Sequence, residues 1–275
     1  MYVLIVDGMM NYIAAAAVTT LTTYALVQRR KAATRELEID HVVLLRLKKE
    51  MNQTNLIKSI QNLANLVPDV VDVTCGEGYS TKRSNGYTHG LVARIKSERA
   101  LTVYATHAEH LKVKAEIIKH LTPLLSDETK STSTPSVIAM DYHSKRITGT
   151  STLIDGDNTK HVSHLVLLCL RPYCDSACRS CQLLDSRLYQ GAYNMAKGIP
   201  GIVDLTFGRT FTKQRCGGYT HCLNVRFDSK ESGELYQPHE LHSEFKRLLK
   251  GHNTSSCPDS NLPWVCCVDY ESSRK

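Results

Sequence analysis

Residues 68–110 read PDVVDVTCGEGYSTKRSNGYTHGLVARIKSERALTVYATHAEH, and residues 200–242 read PGIVDLTFGRTFTKQRCGGYTHCLNVRFDSKESGELYQPHELH. At a constant offset of 132 and without a gap, sixteen of the 43 positions are identical. They include Pro68/Pro200, Asp72/Asp204, Gly76/Gly208, Arg83/Arg215, Arg94/Arg226, Tyr104/Tyr236, His107/His239, His110/His242 and the run Gly86-Tyr87-Thr88-His89, which returns as Gly218-Tyr219-Thr220-His221. A match of this length is an internal duplication, and it sets the architecture before any single element is assigned. It also extends outward, because HVVLLRL from His41 answers HLVLLCL from His164, and Met140-Asp141-Tyr142 answers Val268-Asp269-Tyr270. Two copies of one domain follow, at 41–142 and 164–275. A polar linker at 143–163, carrying the turn-forming Asp155-Gly156-Asp157-Asn158, joins them, and a segment at 1–40 precedes them.

Each copy has the same order of patterns. An alternating strand from His41 or His164 leads to a helical stretch, in which Leu56, Ile60, Leu63 and Leu66 recur every three or four residues. Next come a strand ending near Gly76 or Gly208, a polar turn, and a strand opening with Gly-Tyr-Thr-His. A second helix then carries Tyr104, His107 and His110, with Ile117, Leu121 and Leu124 farther along, and a last strand contains Asp-Tyr. This is β-α-β-β-α-β, the ferredoxin-like order. A four-stranded antiparallel sheet with both helices on one face leaves its other face apolar and uncovered, so it must pair with a second sheet. The fold class predicted is α+β: two ferredoxin-like repeats paired as an intramolecular dimeric α+β barrel, preceded by an N-terminal hydrophobic helix.

The chain carries 34 Lys plus Arg against 27 Asp plus Glu, a formal +7, with 42% hydrophobic residues. Divided along the sequence the excess is 0 for 1–40, +3 for 41–142, +1 for 143–163 and +3 for 164–275. A duplex binder concentrates its basic groups on one face, so no nucleic-acid partner is expected. The densest cluster is Arg29, Arg30, Lys31 and Arg35, just after an uncharged stretch at 9–27 long enough to cross a bilayer as a helix. Basic residues behind the apolar run predict a membrane anchor through residues 9–27 with the barrel facing the cytosol, as on an organelle outer membrane. The alternative is a cytoplasmic or organellar protein after removal of a targeting segment. Of ten cysteines, Cys75 alone precedes residue 164, which favours free thiols over a disulfide framework.

The joint pattern of His41-Val-Val-Leu-Leu, Pro68, Gly86-Tyr-Thr-His89, Tyr104-x-x-His107-x-x-His110 and Asp141-Tyr142 resembles the stress-responsive dimeric α+β barrel family. Repeat 2 resembles it equally, through His164, Pro200, Gly218-Tyr-Thr-His221, Tyr236-x-x-His239-x-x-His242 and Asp269-Tyr270. Members of that family pair two copies into a barrel with helices outside, and each repeat is also similar to the plant olivetolic acid cyclase type, which works without a cofactor. The resemblance implies a small apolar or aromatic ligand and self-association. It also implies Tyr104 with His110, and Tyr236 with His242, as catalytic pairs.

Strand alternation adds a face. His41, Val43, Leu45 and Leu47 share one side of the first strand. Tyr87, His89, Leu91, Ala93 and Ile95 share one side of another. His164, Val166, Leu168 and Leu170, with Tyr219, His221, Leu223, Val225 and Phe227, repeat the phase. The resemblance, together with this face and the second helix, implies substrate-binding roles for His41, Val43, Leu45, His89, Leu91 and His107, and for His164, Val166, His221, Leu223 and His239. Imidazole beside phenol suits proton removal α to a carbonyl with stabilisation of the enolate, which is what an intramolecular aldol cyclisation requires. The competing expectation is a non-catalytic stress-protective or self-assembling barrel, in which these residues are framework and His107 and His239 cap or hydrogen-bond their helix. Repeat 2 has nine more residues between His164 and Pro200 than lie between His41 and Pro68, so a single open pocket is a third expectation.

No cofactor and no metal are expected. Cys174-x-x-x-Cys178-x-x-Cys181 has the spacing of a cluster-binding loop, but on a helix those steps make a packed face of small apolar groups. The helix histidines lack a carboxylate at ligand spacing.

Overall fold

The computed structural model describes residues 37–49, 53–80, 82–122, 135–152, 160–171, 178–253, 257 and 262–273. The first repeat runs β1 (Ile39–Leu45), α1 (Gln53–Gln61), α2 (Leu63–Leu66), β2 (Val70–Glu77), β3 (His89–Ile95), α3 (Glu98–Thr106), α4 (Ala108–His120) and β4 (Val137–His143). After β5 (Ile147–Thr148) the second runs β6 (Lys160–Leu168), α5 (Arg179–Gly198), β7 (Ile202–Arg209), β8 (His221–Phe227), α6 (Lys230–Tyr236), α7 (Glu240–Lys250) and β9 (Val265–Ser273). The sheets have the orders β2-β3-β1-β4 and β5-β7-β8-β6-β9, antiparallel throughout. Two ferredoxin-like repeats are thus present as expected, and β5, which the linker contributes, adds a fifth strand to the second sheet. The expected N-terminal hydrophobic helix falls at residues outside those described. Among the described residues, no helix is long and apolar enough to cross a membrane.

The central strands are buried on both faces, and their two faces serve different cores. On β1, Val43 and Leu45 pack with Leu91, Ala93 and Ile95 of β3 against Leu56, Ile60 and Leu63 of the helices. The alternate residues Val42 and Leu44 meet Met140, Tyr142, Leu165, Leu167, Val268 and Tyr270 between the two sheets. The second repeat packs α5 on its own helix-side core through Leu184, Leu188, Ala192 and Met195. Six of its extra nine residues lengthen the first helix, which is twenty residues long where α1 and α2 together span residues 53–66.

The sheets close on each other reciprocally. The segment after β2 reaches β9 through the Gly78–Tyr270 bridge and Tyr79 N–H to Asp269 O. The equivalent segment after β7 reaches β4 through Tyr142–Thr210 and Phe211 N–H to Asp141 O. Each closure needs a glycine under the other repeat's tyrosine. A Cβ on Gly76 would lie 2.8 Å from the Tyr270 ring, and one on Gly208 only 2.4 Å from Tyr142.

Charges are also shared across the barrel. Buried Arg94 grips Asp40 (2.8 Å) and faces Asp204 (3.7 Å), while buried Arg226 holds Asp72 of the first repeat at 2.9 Å and faces Asp204 at 3.9 Å. Tyr142 and Thr206 both donate to Asp40 Oδ2. Breaking such a buried set leaves a stranded charge, so it specifies how the two halves face each other.

Candidate functional site: a pair of cavities

The first site begins with strand register. His41 on β1 stands directly opposite Asp141 on β4, and its Nδ1 lies 2.6 Å from Asp141 Oδ1. The other carboxylate oxygen accepts from Thr212 Oγ1 of the second repeat at 2.5 Å. Burial alone would raise the Asp141 carboxyl, but the bond and charge of His41, with Thr212 and Arg215, hold it below the usual carboxylate range. It therefore stays ionised and fixes the His41 tautomer, which leaves Nε2 as the basic nitrogen.

Sequence periodicity predicts one helix through Tyr104, His107 and His110. The structure breaks it into α3 and α4 at His107, whose backbone is extended (φ −65, ψ 137). His107 caps α4, its Nδ1 accepting from Glu109 N–H at 3.3 Å. The break folds the first turn of α4 back, so that His110 lies on the Tyr104 ring with centroids 4.3 Å apart, while His41 meets the same ring edge-on at 5.8 Å. His110 Nδ1–H donates to Ala105 O at 3.2 Å, again leaving Nε2 free to accept. Burial, with the nearby His41, Lys114 and Arg215, holds the His110 imidazole below its ordinary value against the pull of that bond. Burial, with Asp141 and Cys75, pushes the Tyr104 phenol up, so it is a donor at neutral pH.

These groups sit at a cavity of about 430 Å³ between the sheet and the helices. Val43, Leu45, Leu91, Val113 and Ile117 supply apolar wall, and Lys114 and Arg215 are exposed at its edge. Arg215 belongs to the second repeat, so the chain's other half contributes to this site.

A cavity of about 410 Å³ occupies the corresponding place in repeat 2, lined by His164, Val166, Leu168, Leu223, His242, Phe245, Lys246 and Asp269, with Arg83 of the first repeat in the role of Arg215. His164 pairs with Asp269 across β6 and β9, and His242 stacks on Tyr236 at 4.0 Å. Burial, with Lys246 and His164, brings the His242 imidazole down to about 4. The two sites differ at the phenol. Tyr104 lines the first cavity, whereas Tyr236 is wholly buried, is absent from the walls of the second, and directs its hydroxyl to Met195 Sδ at 3.6 Å. Among the described residues both repeats have a cavity at this place, while residues 172–177, part of the loop expected to cover the second, lie outside those described.

Four residues expected to bind substrate stand elsewhere. His107 and His239 are helix caps. His89 and His221 lie buried at the start of their strands, outside the cavity walls, each with Nδ1 2.8 Å from the preceding threonine hydroxyl. His221 also meets Asp185 at 2.9 Å, while His89 Nε2 has no partner. Tyr87 and Tyr219 fall in the core between the sheets, opposite to the face predicted, because they lie two residues before the strands begin at His89 and His221, where alternation does not hold. Strand and helix patterns alone did not reveal Asp141, Asp269, Arg83, Arg215 or Lys114. The recurrence of Arg83/Arg215 and of Asp141/Asp269 in both copies is the signal that marks them.

The sequence profile of the Stress responsive A/B Barrel Domain matches residues 39–144 and again 162–271. The chain belongs to the stress-responsive A/B barrel family. The two A/B barrel matches fall on the two repeats and leave out residues 1–38 and most of the linker. A stress-response A/B barrel domain-containing protein of Arabidopsis thaliana is 26% identical over 185 residues, 66% of this chain; the match spans 62% of that relative's length. Among solved structures, an anthrone oxidase-like protein superposes with a TM-score of 0.57 at 12% identity, covering 88% of this A/B barrel chain and 94% of its own. A monooxygenase-like protein of Fusobacterium nucleatum gives 0.53 at 9% identity, covering 87% and 92%. At these identities the likeness is one of fold.

Proposed function

We propose that the first repeat binds a small apolar or aromatic molecule and performs acid–base chemistry on it, of the kind that closes a ring by intramolecular aldol addition. The observation that carries this is one cavity with apolar walls on which His41, Tyr104 and His110 converge, both imidazoles holding Nδ1–H in internal bonds. His110 is held neutral and so is competent to take a proton at Nε2 from a carbon α to a carbonyl. The Tyr104 hydroxyl donates to the enolate oxygen that develops. The enolate carbon then attacks a second carbonyl of the same molecule, and the proton returns from the imidazolium to the new alkoxide. Arg215 and Lys114 at the edge suit a carboxylate on the ligand.

The test is a panel of aromatic acids and polyketide-like thioesters, scored by melting temperature, Tyr fluorescence and product formation. Saturable binding with turnover that Tyr104→Phe and His110→Ala each suppress supports the proposal. Binding that both variants preserve, with no product from any member, makes the barrel a non-catalytic carrier. That second reading is supported by the packed-away hydroxyl of Tyr236, which meets Met195 Sδ and no cavity.

A further inference from the structure

The two cavities differ at one position beside the His–Asp pair. The first has Ala139 and the second Cys267, each on the cavity side of the last strand, two residues before the aspartate. In the second repeat three donor atoms gather as a result. Cys267 Sγ lies 3.5 Å from His164 Nδ1 and 4.0 Å from Asp269 Oδ1, His164 and Asp269 are in contact, and all three atoms fall within 4.8 Å of one another. The trio lines the cavity of about 410 Å³, so a ligand position on that side is open.

A nucleophilic cysteine triad would set the thiol on one ring nitrogen and the carboxylate on the other, so that the imidazole could relay a proton between them. Here both acidic groups approach the same nitrogen. Sulfur, nitrogen and oxygen instead enclose one point, as ligands of a single ion do. With Zn–S of about 2.3 Å and Zn–N of about 2.0 Å, tetrahedral angles separate S from N by about 3.5 Å. A small rotation of the Asp269 carboxylate away from His164 brings its oxygen to the third vertex. We propose that His164, Cys267 and Asp269 form a divalent transition-metal site, selective for zinc-like ions of borderline softness, with water or ligand from the cavity in the fourth position. Ligation needs the thiolate and an imidazole nitrogen free of its proton, so affinity for the ion rises with pH. His41 and Asp141 lack the sulfur and form no such site.

The experiment uses the full chain, reduced and freed of metal with chelator, titrated with Co2+ and then Zn2+. The expected result is one Co2+ per chain with a sulfur-to-cobalt charge-transfer band in the near ultraviolet, bleached by Zn2+. Cys267→Ala, which places here the residue that the first repeat already tolerates, should abolish the band. It should also weaken binding by more than the roughly 10–100-fold that loss of an outer-shell partner costs. Ala139→Cys should add a second equivalent by completing the trio with His41 and Asp141. A band that persists in Cys267→Ala, or a parent chain that binds no Co2+ through sulfur, overturns the proposal.

Discussion

The hydroxyl of Tyr236 donates to Met195 Sδ at 3.6 Å inside the core of the second repeat, whereas its counterpart Tyr104 lines a cavity. The same residue in the same motif thus has two environments. Tyr104→Phe is expected to cut turnover by about 10²-fold or more, the range for a lost acid–base group, while Tyr236→Phe leaves it unchanged. Steady-state rates of the two variants on one substrate decide this, and equal losses would remove the distinction between the sites.

His89 is buried with Nε2 unpartnered, and burial brings its imidazole down to about 4 from an ordinary 6.5. The unfolded chain therefore takes up a proton between those values that the folded chain refuses, so the penalty that His89 places on the folded state is absent above pH 6.5 and grows as the pH falls toward 4. His242 adds to the same slope. His164, whose imidazole is held, against burial, well above its ordinary value by Cys267 and Asp269, acts in the opposite direction. Asp141, whose carboxyl is held low, is lost only below 3.8 and does not confuse the window. The melting temperature of His89→Gln, measured relative to the parent chain, should rise as the pH falls from 6.5 to 4, and a difference that does not change with pH would sink the assignment.

Gly76 and Gly208 each receive the other repeat's tyrosine. Gly208→Ala and Gly76→Ala are expected to cost about 1–3 kcal/mol through overpacking, read from the denaturant midpoint. Gly233 in α6 has only ordinary contact with Phe227 at 3.5 Å, so Gly233→Ala should be neutral or stabilising. A Gly208→Ala chain as stable as its parent would show that the sheets can shift apart at no cost.

Arg215 stands at the edge of the first cavity and Arg83 at that of the second. For a carboxylate ligand bound in the first repeat, Arg215→Ala should weaken affinity by up to about fivefold, as for an exposed ion pair. Arg83→Ala should leave that affinity unaltered. Calorimetry with one aromatic acid and its methyl ester measures both effects, and the ester should be indifferent to either change.

Membrane attachment through residues 9–27 is an expectation of sequence alone. Carbonate washing should leave the full chain with the membrane fraction and release a chain that lacks residues 1–36. Release of the full chain by the wash would remove the anchor.

The duplication made the fold legible. Strand order, the pairing of the sheets and the alternation on His41, Val43 and Leu45 all follow from the repeat and from period-two patterning. Four features escaped for physical reasons. A histidine does not announce a helix break, so although capping by His107 was among the expectations, the interruption between α3 and α4 was hidden within a continuous 3.6-residue pattern. Two residues are too few to show alternation, so β5 read as linker. The strand begins only at His89, so alternation does not extend back to Tyr87, and residue patterning does not mark that boundary. The His41–Asp141 pair and the His164–Cys267–Asp269 cluster join residues about a hundred positions apart, so local spacing could not suggest them.

Covalent linkage of the two repeats has a genetic consequence. In a symmetric homodimer one codon writes both active surfaces, and every change is made twice. Here each cavity has its own codons, yet each still borrows an arginine from the other half. Ala139 in the place of Cys267 shows that the two cavities differ at a position each half controls alone. The borrowed arginines set the limit of such differences, because neither half can be lost or recombined without altering the site of its sibling.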